Sequence, residues 1–218
     1  MNATELIKRE ERLHRIILIL LKATLAAAIA WALVYGKWEI FFFGILTLGL
    51  MFTPELIESR VKVELPAEFD LVIVGFLYMS IFLGEAVNAY EAFWWWDAVL
   101  HTASGAILSF AGFLLLYIKV KQGKLQASSM FLAVIIFSLG MAFGGVWEIF
   151  EFAVDSIFKT NMQKSGLHDT MWDLIVDGTG ALAMAYIGSR YIRQGGKGPF
   201  HRLIRKFLIL NPRILSRR

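Results

Sequence analysis

Long apolar runs alternate along this chain with short polar connections, and the runs have the length of membrane crossings. A helix rises about 1.5 Å per residue and crosses the hydrocarbon core with about 20 residues. On that basis the pattern predicts six helices: Ile16–Tyr35, Ile40–Phe52, Leu71–Asn88, Asp97–Ile118, Ser129–Phe158 and Asp169–Ile192. No small-residue cleavage site closes the first run, which reads as a retained helix rather than a signal peptide. The second is short and borrows flanking residues to span. Thr53-Pro54-Glu55 suits an N-cap, a first helical position and an acidic first turn. The connection to the third helix is therefore expected to hold a short interfacial helix, then an extended stretch from Val61 to Pro66.

The expected fold class is all-α, a polytopic membrane protein with six transmembrane helices in one bundle over residues 1–192 and a basic tail over 193–218. In that tail Phe200, Leu203, Ile204, Phe207 and Leu208 form one stripe opposite Arg202, Arg205 and Lys206, up to Pro212. The pattern suits a short amphipathic helix on the membrane surface, with anionic lipids as its partners.

Composition agrees with the pattern: of 218 residues 57% are hydrophobic and 18% charged. The absence of cysteine excludes disulfides and thiolate metal sites. Charge then supplies an orientation. Four Lys and Arg precede the first helix (Lys8, Arg9, Arg12, Arg15) and two lie in the second connection (Arg60, Lys62). Three lie in the fourth (Lys119, Lys121, Lys124), and nine lie from Arg190 onward. The other side has Lys37, Lys159 and Lys164, and Lys22 falls within the first helix, where it would snorkel to the headgroups. The positive-inside rule puts both termini in the cytoplasm of a multi-pass inner-membrane protein. These basic residues flank helices, so nucleic acid is not an expected partner, and the sequence leaves the oligomeric state undetermined.

Acidic residues and histidines inside such runs are costly and default to a functional reading. Glu85, Asp97, His101, Glu148, Glu151, Asp155, His168, Asp169, Asp173 and Asp177 all fall toward the outer side in this topology. Asp97–His101, Glu151–Asp155, Asp169–Asp173 and Asp173–Asp177 are spaced i, i+4, and Glu148–Glu151 i, i+3, so each helix presents one polar stripe. Glu148 lies about 10 Å deeper than Asp155, and Asp177 about 12 Å deeper than Asp169. Asp97, Asp155 and Asp169 read as rim residues that suit helix ends or interfacial exposure, and His168 as a loop histidine. Tyr90 and Phe93–Trp96 read as an interfacial aromatic belt. Gly140, Gly144, Gly145, Gly178 and Gly180 would allow close packing of the last two helices.

Several carboxylates at depth repel unless a cation or protons compensate them. Glu85, His101, Glu148, Glu151, Asp173 and Asp177 are accordingly the candidate metal ligands, and His101, Glu148 and Glu151 the candidate catalytic residues. Oxygen ligands with one imidazole would suit Mg²⁺, Mn²⁺, Ca²⁺ or Zn²⁺. The missing Glu-x-x-His pair argues against a di-iron bundle.

Gly84-Glu85, Tyr90, Trp95-Trp96-Asp97 with Leu100-His101, and Trp147 to Phe152 form a set of runs with Asp169 to Leu174, Asp177 and Gly180-Ala181. From Pro54 to Tyr191 these resemble the YjdF-like bacterial and archaeal inner-membrane proteins. Asp97, His101, Glu148, Gln163, Asp173 and Gly180-Ala181 are more distantly similar to the VanZ-like membrane proteins, linked to glycopeptide-antibiotic resistance. The arginine expected there between the glutamine and the final acidic helix is absent here. The resemblance implies the fold and the positions of the site without naming a reaction. Three functions stay open: a metal-dependent enzyme acting on a lipid or lipid-linked substrate, a structural or accessory membrane protein with a satisfied polar network, and a proton- or cation-coupled transporter. Against the last, no acidic residue continues the path through the cytoplasmic halves of the helices.

Overall fold

In the computed structural model the chain is all-helical, with no strand among the described residues. These are 3–198 and 200–215, with side chains from residue 11 onward. The side chains of Lys8 and Arg9, and residues Arg217 and Arg218, which entered the charge count, lie outside them. The helices are α1 (Ala3–Val34), α2 (Trp38–Leu50), α3 (Thr53–Val61), α4 (Ala67–Leu77), α5 (Ala89–Ala92), α6 (Trp96–Lys121), α7 (Ser129–Phe158), α8 (Leu167–Arg193), α9 (His201–Leu210) and α10 (Pro212–Leu215). A π-helical segment, Tyr78–Ala86, continues α4.

Five segments are long and apolar enough to cross a membrane: Glu11–Val34, Trp38–Val61, Ala67–Ala86, Trp96–Lys121 and Ser129–Phe158. The sixth expected crossing, α8, has the length at 27 residues. Its three aspartates and terminal arginines dilute its apolar character. The second crossing is not completed as expected. Helix α3 follows α2 so closely that Trp38–Val61 is one segment of 24 residues long and apolar enough to cross, where a separate short interfacial helix is expected after Phe52. Pro54 does occupy the first turn of α3. Thr53 does not cap it; its hydroxyl instead donates to the Leu50 carbonyl at 2.5 Å.

The described chain divides into two compact units, one running to Trp94 with Arg205–Asn211 added, the other Trp95–Ile204 with the segment from Pro212. In the first, Leu25, Met51, Val74, Phe82 and Ala86 form the buried core, with Ile29, Phe43 and Tyr78 packed around it. Lys22 meets Glu55 at 3.2 Å and sits 4.4 Å above the Phe52 ring, so its charge is answered within the protein. The extended stretch after α3 is stapled at two adjacent residues, Glu64 and Leu65. Leu65 N–H donates to Glu58 Oε1 at 2.7 Å. The Asn211 carboxamide pairs with both backbone groups of Glu64, at 2.8 and 2.7 Å, as a neighbouring strand would. The amphipathic α9 does form, yet Ile204 and Phe207 of its apolar stripe are buried in protein. Phe207 packs 5.9 Å from the Phe69 ring, and Lys206 pairs with Glu68 at 3.0 Å and Glu11 at 3.4 Å.

The second unit is a bundle of α6, α7 and α8. Close approach depends on glycines, because helix association in lipid gains from backbone proximity rather than from hydrophobic transfer. A Cβ at Gly105 would strike the Asp177 carbonyl, and one at Gly180 the Thr102 carbonyl, so α6 and α8 touch backbone to backbone. Gly140 and Gly144 place α7 against Ser109, Ala181 and the Asp177 carboxylate. Gly145 faces open space, and Gly178 has only the Met141 sulfur near it. At the far end from the aspartates, Tyr191 packs against Phe113 and Tyr117 at ring distances of 5.7 and 5.2 Å.

Candidate metal centre

The polar groups of the second unit converge on Asp177, which is fully buried on α8. Its Oδ1 lies 2.7 Å from the Ser104 hydroxyl, and its Oδ2 lies 3.2 Å from His101 Nδ1. The socket that admits it is lined by Gly105 and Gly144, each of which would collide with Asp177 if it carried a side chain. Both Asp177 oxygens are thus engaged within the protein. The Asp177 carboxylate fixed against Nδ1 favours a proton on that nitrogen and leaves Nε2 pointing the other way. Nε2 faces Asp97 Oδ1 at 3.6 Å, one turn earlier on α6.

Asp97, His101 and Asp173 each offer a ligand atom, and the three atoms lie within 4.8 Å of one another. His101 and Asp173 are buried and Asp97 is half-buried. Two carboxylates and an imidazole whose other nitrogen is held by a carboxylate form a donor set suited to Mn²⁺ or Zn²⁺, with Mg²⁺ and Ca²⁺ preferring oxygen alone. Glu148, from α7, is only 4% exposed, and neither of its buried oxygens has a hydrogen-bond donor of good geometry. The Thr170 hydroxyl is the group that approaches it. Glu151 is buried as well and accepts from Trp147 Nε1 at 2.9 Å.

Helix positions explain the convergence. Asp97 and His101 lie one turn apart at the start of α6, with Ser104 on the next turn of that face, while Asp173 and Asp177 lie one turn apart on α8. The remaining candidates are not among these three ligand atoms. Glu85 is half-buried in the π-helical segment of the first unit. His168 is exposed and Asp169 half-buried in the first turn of α8. Asp155 organises the α7–α8 loop: its carboxylate accepts from the Thr160 hydroxyl at 2.6 Å, Met162 N–H at 2.8 Å and Gln163 N–H at 2.9 Å. The loop in turn aims Gln163 Nε2 at the Thr170 hydroxyl, 2.7 Å away, and the Lys164 ammonium at Asp97 Oδ2. Burial pulls the Lys164 ammonium down, but the bond to Asp97 and the nearby Asp169 and Asp173 outweigh it and hold its pKa above the ordinary lysine value.

Ser104 and Gly105 escaped the sequence reading, although they stand three and four residues after His101 and so share its face. Lys164, which the sequence places in the loop before α8, reaches the Asp97 carboxylate.

No solved structure matches the chain. A protein of Thermotoga maritima described as uncharacterised is similar to it, 30% identical over 180 residues that cover 83% of this chain and 90% of the relative. Residues 16–194, which hold every carboxylate and histidine of the cluster, match the family described as "Predicted membrane protein (DUF2238)". The chain belongs to that family of membrane proteins.

Proposed function

We propose that this protein spans the inner membrane six times, keeps both termini in the cytoplasm, and binds one divalent cation toward the outer face through Asp97, His101 and Asp173. The cation would serve an enzyme acting on a lipid or lipid-linked substrate. Eighteen of the 22 Lys and Arg fall on the side assigned to the cytoplasm, which supports the orientation. The runs shared with YjdF-like proteins include all three proposed ligands and Glu148.

Glu148 is the observation that carries this reading. A satisfied structural network would give a buried carboxylate better partners than the approach of one Thr170 hydroxyl, since such a group costs several kcal/mol uncompensated. A cation held by Asp97, His101 and Asp173 supplies the missing positive charge. Such a cation would act as a Lewis acid toward water or a lipid phosphate, and Glu148 is the carboxylate that would take up a proton there.

The test is metal analysis of the full-length protein purified in detergent. We expect about one equivalent of Mn²⁺ or Zn²⁺ per chain and a melting temperature that rises with added Mn²⁺. His101→Ala and Asp173→Asn should lose both effects, and Asp169→Asn should keep them. A wild-type protein that carries no metal, and melts identically with Mn²⁺ and with chelator, would end this proposal.

A further inference from the structure

Lys164 does not belong to the donor set, yet its ammonium is seated on one of the proposed ligands. It reaches Asp97 Oδ2 from the α7–α8 loop, and Asp169 and Asp173 also face it. The approach is built rather than incidental. Asp155 captures three donors of this loop, and Lys159 and Lys164 both adopt positive φ, 59° and 33°, which side-chain-bearing residues enter only at a cost. A loop held in that shape places a cation at the mouth of a cluster whose deeper carboxylate, Glu148, has no hydrogen-bond donor of good geometry.

We propose that Lys164 is a tethered counter-ion that a divalent cation must displace, making it the residue that selects for charge at this site. This rests on the cation-binding reading above. Before metal binds, the ammonium neutralises Asp97. When a divalent cation takes Asp97 as a ligand, the ammonium is released from it, and the cluster gains one positive charge in the exchange. A monovalent cation would gain nothing by the same exchange, so Na⁺ and K⁺ are excluded by charge count rather than by size. The apparent affinity for metal is the intrinsic affinity reduced by the fraction of molecules in which Asp97 is free.

The experiment titrates Mn²⁺ into full-length protein in detergent and follows the electron paramagnetic resonance signal of free Mn²⁺, for wild type, Lys164→Gln and Lys164→Arg. A half-exposed ion pair of this kind corresponds to about a fivefold competition, so Lys164→Gln should bind Mn²⁺ about fivefold tighter and Lys164→Arg close to wild type. In parallel, acetylation of Lys164 read by mass spectrometry should speed up when Mn²⁺ is added to wild type. Tighter binding by Lys164→Gln together with metal-induced reactivity of Lys164 upholds the proposal. Unchanged or weaker binding by that variant overturns it and leaves the cation site standing, and so does reactivity indifferent to Mn²⁺. Absence of Mn²⁺ binding in all three proteins overturns both readings.

Discussion

Asp177 and Glu148 are both buried carboxylates, but they are held differently. Asp177 has a hydroxyl and an imidazole to satisfy it; Glu148 has no good donor. Leaving a buried polar group unsatisfied costs about 1–3 kcal/mol, and more when it is charged. Glu148→Gln should therefore raise the melting temperature in chelator, by an amount equivalent to about 1–3 kcal/mol, and should reduce the added stability expected from Mn²⁺ in the wild type. Asp177→Asn keeps the shape but weakens the hold on His101 Nδ1. A carboxylate that orients a ligating imidazole is worth about 10- to 100-fold in metal affinity, so equilibrium dialysis with Mn²⁺ should show a loss of that size. The charged members of the cluster were legible in the sequence because a carboxylate inside an apolar run has no ordinary reason to be there. Ser104 was not, since one small hydroxyl in a helix is common and its role depends on an aspartate 73 residues later. The division of labour between Asp177, engaged on both oxygens, and Asp97, which shares the ligand cluster, was also hidden. Both are aspartates at helical spacing from a partner, and only packing tells them apart.

Among the elements, α6 and α8 meet through Gly105 and Gly180, where an added Cβ has a backbone carbonyl in its way. Neither carbonyl can turn aside without breaking its helix. Gly105→Ala and Gly180→Ala should each cost more than about 2 kcal/mol, at the upper end of what overpacking causes, and should lower the thermal unfolding midpoint. Gly145→Ala meets open space and should be silent in the same assay. The sequence showed the glycines but could not pair them: Gly180 was assigned to contact with α7 and instead faces α6, and Gly105 was passed over. The all-helical class and the approximate bounds of the long helices were legible because hydrophobic runs are long and local. Six crossings were expected, whereas five segments are long and apolar enough to cross. The continuation of α2 into α3 was not. Thr53-Pro54-Glu55 carries every sign of a fresh helix start, and α3 does start there, although Thr53 does not cap it and the signs are silent on how closely α3 follows α2.

For the whole molecule, orientation is the property most open to test, and the absence of cysteine gives a clean background. Thr160→Cys in the α7–α8 loop and Gln126→Cys between α6 and α7 should differ in access. In right-side-out vesicles an impermeant maleimide should label only the first, and both after permeabilisation. Equal or reversed labelling would remove the outward-facing site. All of the cluster's ligands and their supports come from one stretch of chain, Asp97 to Asp177, while the unit before it is completed only by Arg205–Asn211. That arrangement bears on the order in which the protein can be made. The backbone N–H and C=O of Glu64 wait for the carboxamide of Asn211, so the first part of the chain to leave the ribosome is the last to be finished. Translation at about 5–20 residues per second leaves those groups without this partner for several seconds after Glu64 is made. A nascent chain stalled before Asn211 would already contain every ligand of the proposed cation site, yet lack the piece that closes the unit made before it.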